Sequence, residues 1–206
     1  MGKSLIESED KINKGSHNGK SLVGVLGPSR NYCRKKVEYN SERLSDILVS
    51  CGYGAIINPM CGTAPETFGI IFKKHGGSPL VGVIYDDGRT VGEYDLLTKD
   101  TDFHNKDICD TLINCVSWRE QPGILIGNSK HLIVLGLSTG VNWELSLPKF
   151  YWRLKLGGVA PNTGGRIFLL TELISDKYPA RLNEGMRLEY ISIEELPCML
   201  GTRHDE

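Results

Sequence analysis

The chain has 206 residues, with 24 Lys and Arg against 25 Asp and Glu, and 40% of its residues are hydrophobic. That length is enough for one domain with a sizeable core, and a formal net charge of −1 supplies neither a basic field for a nucleic acid polymer nor a polybasic patch for a membrane surface. The six cysteines, Cys33, Cys51, Cys61, Cys109, Cys115 and Cys198, form no C-x-x-C pair and have no histidine at zinc spacing, so they read as reduced thiols in a cytoplasmic protein without a metal.

The opening segment, MGKSLIESEDKINKGSHNGK, lacks the run of about seven apolar residues that a signal peptide needs, and Leu5-Ile6 interrupts the pattern of an acylation signal at Gly2. Residues 1–20 are expected to be a flexible tail and 21–206 a single domain. From Ser21 onward, apolar runs of strand length alternate with segments of helical period. This alternation buries parallel strands beneath helices on both faces, so the expected fold is α/β, a Rossmann-like doubly wound sheet. In chain order we expect a strand over 21–27, a helix over 38–52 closed by Gly52, and a strand over 54–59. A helix over 64–77 with basic residues in its last turn follows, then a strand over 79–88. Residues 89–107 are polar and without a period, an insertion or short hairpin. Beyond them we expect a strand over 109–118, a helix over 119–129, the most apolar strand over 130–137, a helix over 142–158 kinked at Pro148, a strand over 165–173 and a closing helical turn over 192–201.

In such a sheet, ligands bind beyond the carboxyl ends of the strands where strand order reverses. Three strands end in turns of small or hydroxyl residues: Gly27-Pro28-Ser29, Asn58-Pro59-Met60-Cys61-Gly62-Thr63, and Gly136-Leu137-Ser138-Thr139-Gly140-Val141. Turns of this kind allow backbone N–H groups to approach a phosphate. Together they predict one pocket containing Gly27, Pro28, Ser29, Asn58, Met60, Cys61, Gly62, Thr63, Ser138, Thr139, Gly140 and Val141. Thr63-Ala64-Pro65-Glu66 is equally a capping box with proline in the first turn, which serves helix initiation with no ligand at all. Asp86-Asp87-Gly88 lacks a third nearby acid or histidine and reads as a turn.

The stretch LVGVLGPS…ERLSDILVSCGYGAIINPMCGTAPETFGIIFKKHGGSPLVGVI resembles the first half of the SLOG superfamily. That superfamily includes the Lonely-guy phosphoribohydrolases, once misnamed lysine decarboxylases, the molybdenum-cofactor carrier proteins and nucleotide-sensing defence domains. The resemblance runs over residues 21–201, with Arg119 preceding the last central strand and Glu144 at the acid of the P-G-G-x-G-T-x-x-E signature. Gly140 matches a glycine of that signature, whereas Gly136 stands for its Pro, Leu137-Ser138 for its glycine pair, Val141 for its Thr, and Asn58-Pro59 for a Gly-Gly after the second strand.

The resemblance implies a catalytic pair, Arg119 and Glu144, that cleaves the N-glycosidic bond of a nucleoside monophosphate. The acid would stabilise positive charge on the sugar or activate water, and the guanidinium would hold phosphate. Read from the residues alone, Glu144 is also a first-turn acid complementing a helix dipole and Arg119 a surface charge beside Glu120. No cofactor is implied. The altered signature motivates the alternative, a non-catalytic module that captures a nucleotide or cofactor. Trp143, Phe150, Tyr151 and Trp152 read as helix packing and subunit interface, and a homodimer is expected by resemblance.

Overall fold

A computed structural model of the chain describes residues 12–13, 16–85, 104–148, 165–175 and 188–201. Nine strands and five α-helices follow one another as β1 (Ile12–Asn13), β2 (Ser16–His17), β3 (Lys20–Leu26), α1 (Arg34–Ser50), β4 (Gly54–Ile57), α2 (Ala64–Lys74), β5 (Leu80–Tyr85), β6 (Thr111–Cys115), α3 (Gln121–Gly127), β7 (His131–Val134), α4 (Thr139–Glu144), β8 (Ile167–Leu170), β9 (Leu188–Ile191) and α5 (Leu196–Gly201). The strands from β3 onward form one parallel sheet in the order β6-β5-β4-β3-β7-β8-β9. This is the doubly wound arrangement that the alternating pattern predicts.

Side-chain alternation along the central strands divides the interior into two cores. Val23 and Val25 of β3, Ile133 and Leu135 at β7, and Phe168 and Leu170 of β8 pack with Leu44, Leu48, Phe68 and Phe72 of α1 and α2. Their neighbours Leu22, Leu26, Leu132, Val134, Ile167 and Leu169 face Leu125, Ile126, Val141 and Leu145 on the opposite side. Both faces of each central strand are therefore buried, which explains why those strands are continuous apolar runs in the sequence.

The structure redraws several expected boundaries. Residues 16–20, assigned above to a flexible tail, belong to an antiparallel hairpin in which His17 pairs with Lys20. Asn18 and Gly19 turn it with φ of 52° and 77°, the paired positive values that a tight hairpin turn requires. His17 is buried, its Nε2 2.9 Å from the Thr111 hydroxyl at the head of β6. Helix α1 starts at Arg34, four residues ahead of the expected Glu38, and its first turn carries an Arg34–Glu38 ion pair of 2.9 Å. Strand β9 was not expected at all. Within the polar stretch, His104 bridges Met60, and the Asn105 amide donates to the Pro59 carbonyl at 2.8 Å, so this segment docks on the turn after β4. Asp86, Asp87, Gly88, residues 89–103, Phe150, Tyr151, Trp152 and the rest of the helix expected to 158 lie outside the described residues. No helix among the described residues is long and apolar enough to cross a membrane.

His131, at the start of β7, is buried between Tyr53 and Phe168, with ring centroids at 6.2 and 5.8 Å. Its Nδ1 accepts the Arg166 backbone N–H at 3.3 Å, which requires the neutral ring. Burial, reinforced by Lys130 and Arg166, depresses its pKa to about 4 from an ordinary 6.5. Between those values the unfolded chain binds a proton that the folded chain does not, so stability is lost as pH falls through that window. The advantage of wild type over His131→Gln in thermal midpoint should therefore shrink between pH 7 and pH 4.5. A gap that stays constant in that range would show that the buried ring does not titrate as described.

Candidate functional site

Strand β3 has β4 on one side and β7 on the other. The chain leaves these two neighbours in opposite directions, and a crevice opens beyond their carboxyl ends. Direct bonds tie the three turns at this edge together. The Ala64 amide at the start of α2 donates to the Pro28 carbonyl at 3.0 Å, and the Leu135 amide after β7 donates to the Leu26 carbonyl at 2.8 Å. Two glycines permit this closeness. A Cβ on Gly27 would stand 3.0 Å from Cβ of Ala64 and 3.3 Å from Cβ of Leu135, and Gly136 holds φ of 155° with the Pro28 ring 3.1 Å from where its Cβ would be. Any other residue would push these turns apart.

They enclose a half-open cavity of about 130 Å³. Gly27 and Ser29 line it from the first turn, Asn58, Met60 and Thr63 from the second, and Ser138, Gly140, Val141 and Glu144 from the third. Of the other candidates, Pro28 packs against Gly136, and Gly62 donates its amide to Glu66 Oε2 at 2.6 Å while its carbonyl accepts from the Tyr32 hydroxyl at 3.1 Å. Cys61 and Thr139 are exposed. None of these four lines the cavity. Val25, Leu26, Pro65 and Leu125 complete the walls. They were not singled out in the sequence: Val25 and Leu26 end β3 just before its glycine, a position that could have flagged them, but nothing local marks Leu125 of α3 as a neighbour of this edge.

Several polar groups in the lining already have structural partners. Thr63 caps α2, accepting the Glu66 amide at 3.3 Å and donating its hydroxyl to the Met60 carbonyl at 2.7 Å. The Glu66 carboxylate closes the capping arrangement through Gly62 and accepts from Asn105 Nδ2 at 2.9 Å. Asn58 donates to Gln121 Oε1 at 2.7 Å and accepts the Met60 amide at 3.1 Å, which ties the second turn to the start of α3. Ser138 caps α4 by accepting the Val141 amide at 3.2 Å.

Glu144 differs from these. It is the last residue of α4, partly buried, and its carboxyl group has no hydrogen-bond or ion-pair partner among the described residues. Desolvation by the surrounding side chains raises its pKa to about 8 from an ordinary 4.5. Arg119 is elsewhere. It is exposed outside the lining, its guanidinium 5.5 Å above the Trp118 ring, which in turn packs 5.9 Å from Trp143. Arg119 and Glu144 thus do not share the cavity. Among the described residues no group of three or more His, Cys, Asp or Glu could hold a metal ion.

No protein-family model and no curated protein sequence matches the chain. Solved structures do match. A molybdenum cofactor carrier protein from Chlamydomonas reinhardtii superposes with a TM-score of 0.64 at 14% identity, over 88% of this chain and 95% of that one. The molybdenum cofactor binding protein of the phototrophic bacterium Rippkaea orientalis gives 0.59 at 18% identity, over 88% and 94%. The chain has the fold of these proteins. At such identities the likeness concerns the fold rather than the side chains.

The position of Glu144 has a measurable consequence for stability. Between pH 4.5 and about 8 the folded chain keeps a proton that the unfolded chain has released, so ionising this group costs stability as pH rises. Glu144→Gln removes that cost. The variant should match wild type in thermal midpoint near pH 5 and exceed it by several degrees, about 2–4 °C per kcal/mol for a chain of this length, near pH 9. A difference between the two proteins that does not change with pH would show that the carboxyl is solvated.

Proposed function

We propose that the chain is a non-catalytic binding protein that takes one ring-sized group of a small nucleotide or cofactor into the crevice between β3 and β7. The molybdenum cofactor, for which the structural neighbours are named, is the first candidate. One observation carries this reading: the three turns converge on a cavity where Glu144, the only ionisable lining residue among those described, is not joined by Arg119. Stabilising a sugar cation requires an ionised carboxylate close to the breaking bond, and desolvation disfavours that form of Glu144. The volume argues in the same direction. About 130 Å³ is close to the ~150 Å³ cavity that takes up benzene, so the interior receives one ring-sized group and the remainder of the ligand extends toward the open side.

Glycosidic hydrolysis is the second reading, because a carboxyl with a raised pKa is also suited to protonate a departing base. Incubation with the molybdenum cofactor and with nucleoside 5′-monophosphates separates the two. Binding should raise the thermal midpoint, with about 2.7 kcal/mol of stabilisation at a hundredfold excess over Kd, and release no free base. Catalytic release of base and ribose 5-phosphate would establish the enzyme, and no shift with any of these compounds would reject the cavity as a binding site.

We extend the proposal to a homodimer in the cytoplasm. Val116, Trp118 and Trp143 are 77%, 40% and 42% exposed, and the two indole rings meet beside the site. Large apolar groups grouped in this way suit a subunit contact. Trp118→Glu should convert a dimer into a monomer in gel filtration at micromolar concentration, whereas a wild-type protein already monomeric there would reject the contact.

A further inference from the structure

We infer that Glu144 is the specificity-determining residue of the cavity: its carboxyl group, acting as a hydrogen-bond donor and acceptor side by side, reads the cyclic-amide or aminopyrimidine edge of a nitrogen heterocycle. The inference rests on the proposed binding function and names the class of ring that the cavity takes.

Four features of the cavity support it. Glu144, at the end of α4, lines a cavity whose described lining contains no Lys, Arg or His. Charged residues on the neighbouring elements are directed elsewhere: Glu66 of α2 to Gly62 and Asn105, Arg119 ahead of α3 to Trp118, while Arg30 beyond the first turn is exposed. No cation among the described residues therefore compensates an ionised Glu144, and leaving a charge unpaired in such a place costs more than protonating it. The remaining walls, Leu26, Pro65, Leu125 and Val141, are apolar and suited to the faces of a flat ring.

The chemistry of the two protonation states then selects the ligand. An ionised carboxylate only accepts hydrogen bonds, whereas the neutral acid has one donor and one acceptor on adjacent atoms. That pair complements an N–H beside a C=O, or a ring nitrogen beside an amino group, through two parallel bonds. It does not complement a phosphate dianion in the same way, nor a ring whose edge carries a methyl group. Thr63, Asn58 and Ser138 have partners within the protein, whereas Glu144, the ionisable side chain of the described lining, has none among the described residues.

Guanosine 5′-monophosphate, 1-methylguanosine 5′-monophosphate, 6-hydroxymethylpterin and ribose 5-phosphate serve as probes, with dissociation constants measured by calorimetry from pH 6 to 9. Wild type should bind guanosine monophosphate and the pterin at least about tenfold more tightly than the methylated nucleotide, the loss expected for an unmade hydrogen bond in a buried site. Affinity should hold to about pH 8 and decline above it. Glu144→Gln retains a donor and an acceptor in place, so its affinity should stay within about threefold of wild type without the decline tied to Glu144. Glu144→Leu should lose at least about tenfold for the two heterocycles and nothing for ribose 5-phosphate. Equal binding of the methylated and unmethylated nucleotides, or undiminished heterocycle binding by a folded Glu144→Leu, would overturn the inference while leaving the binding function standing. Failure of wild type to bind either heterocycle would overturn the inference, and the binding function falls with it only if the molybdenum cofactor and the other nucleoside monophosphates also fail to bind.

Discussion

The structure depends on one topological constraint: β3 lies at the centre of a parallel sheet, and the chain leaves it for β4 on one side while β7 arrives on the other. A parallel sheet needs crossover connections, and two sets of crossovers winding in opposite directions cannot both cover the carboxyl ends of the strands at their meeting point. The gap there follows from the strand order and not from any particular side chain. What the local sequence controls is how tightly the gap closes. Gly27 and Gly136 bring the ends of β3, β7 and α2 into contact, so the crevice narrows to a ring-sized cavity instead of an open cleft. Below it, the two alternating sets of apolar residues anchor the strands that carry the turns.

Much of this was legible in the sequence for a physical reason. Strands buried on both faces must be apolar nearly throughout, so residues 22–26, 55–57 and 132–135 stand out from the polar segments around them. Glycine-rich ends on three such runs then indicate the binding edge without any knowledge of side-chain geometry. Elements stabilised by other means were harder to read. Strands β1 and β2 are two residues each and show no period, although Asn18-Gly19 was a readable turn signal. Strand β9, at the edge of the sheet, is only partly buried, so its composition does not separate it from a loop. For Arg119 the sequence left a pocket residue and a surface charge both open. Its spacing from β7 suits a pocket residue, but the adjacent Trp118 provides an aromatic face nearer to hand, and a guanidinium stacks readily on an indole.

The same distinction separates the roles of polar residues in the cavity. Thr63, Asn58 and Ser138 each satisfy a backbone or side-chain group of the fold, and those bonds hold their remaining hydrogen-bonding capacity in fixed directions. A ligand meeting such groups does not have to order them, and the entropic cost of binding falls accordingly. The hydroxyls that initiate the helices can therefore contribute to a site without ceasing to be caps, so the structural and ligand-binding readings of these residues are compatible.

Glu144 follows the opposite logic, since nothing described in the fold requires its carboxyl group and the fold bears the cost of desolvating it. An uncompensated acid in a partly buried cavity is a liability unless something offsets it, and residues held against their own solvation tend to cluster at functional sites. Here the offset cannot come from a neighbouring cation of the described cavity, because the lining contains none. A bound partner able to both donate and accept would satisfy the group completely, and would return on binding the solvation that folding removed. On this argument the acid biases the empty cavity toward occupancy, which suits a protein that holds a cofactor more than one that must release product at each turnover.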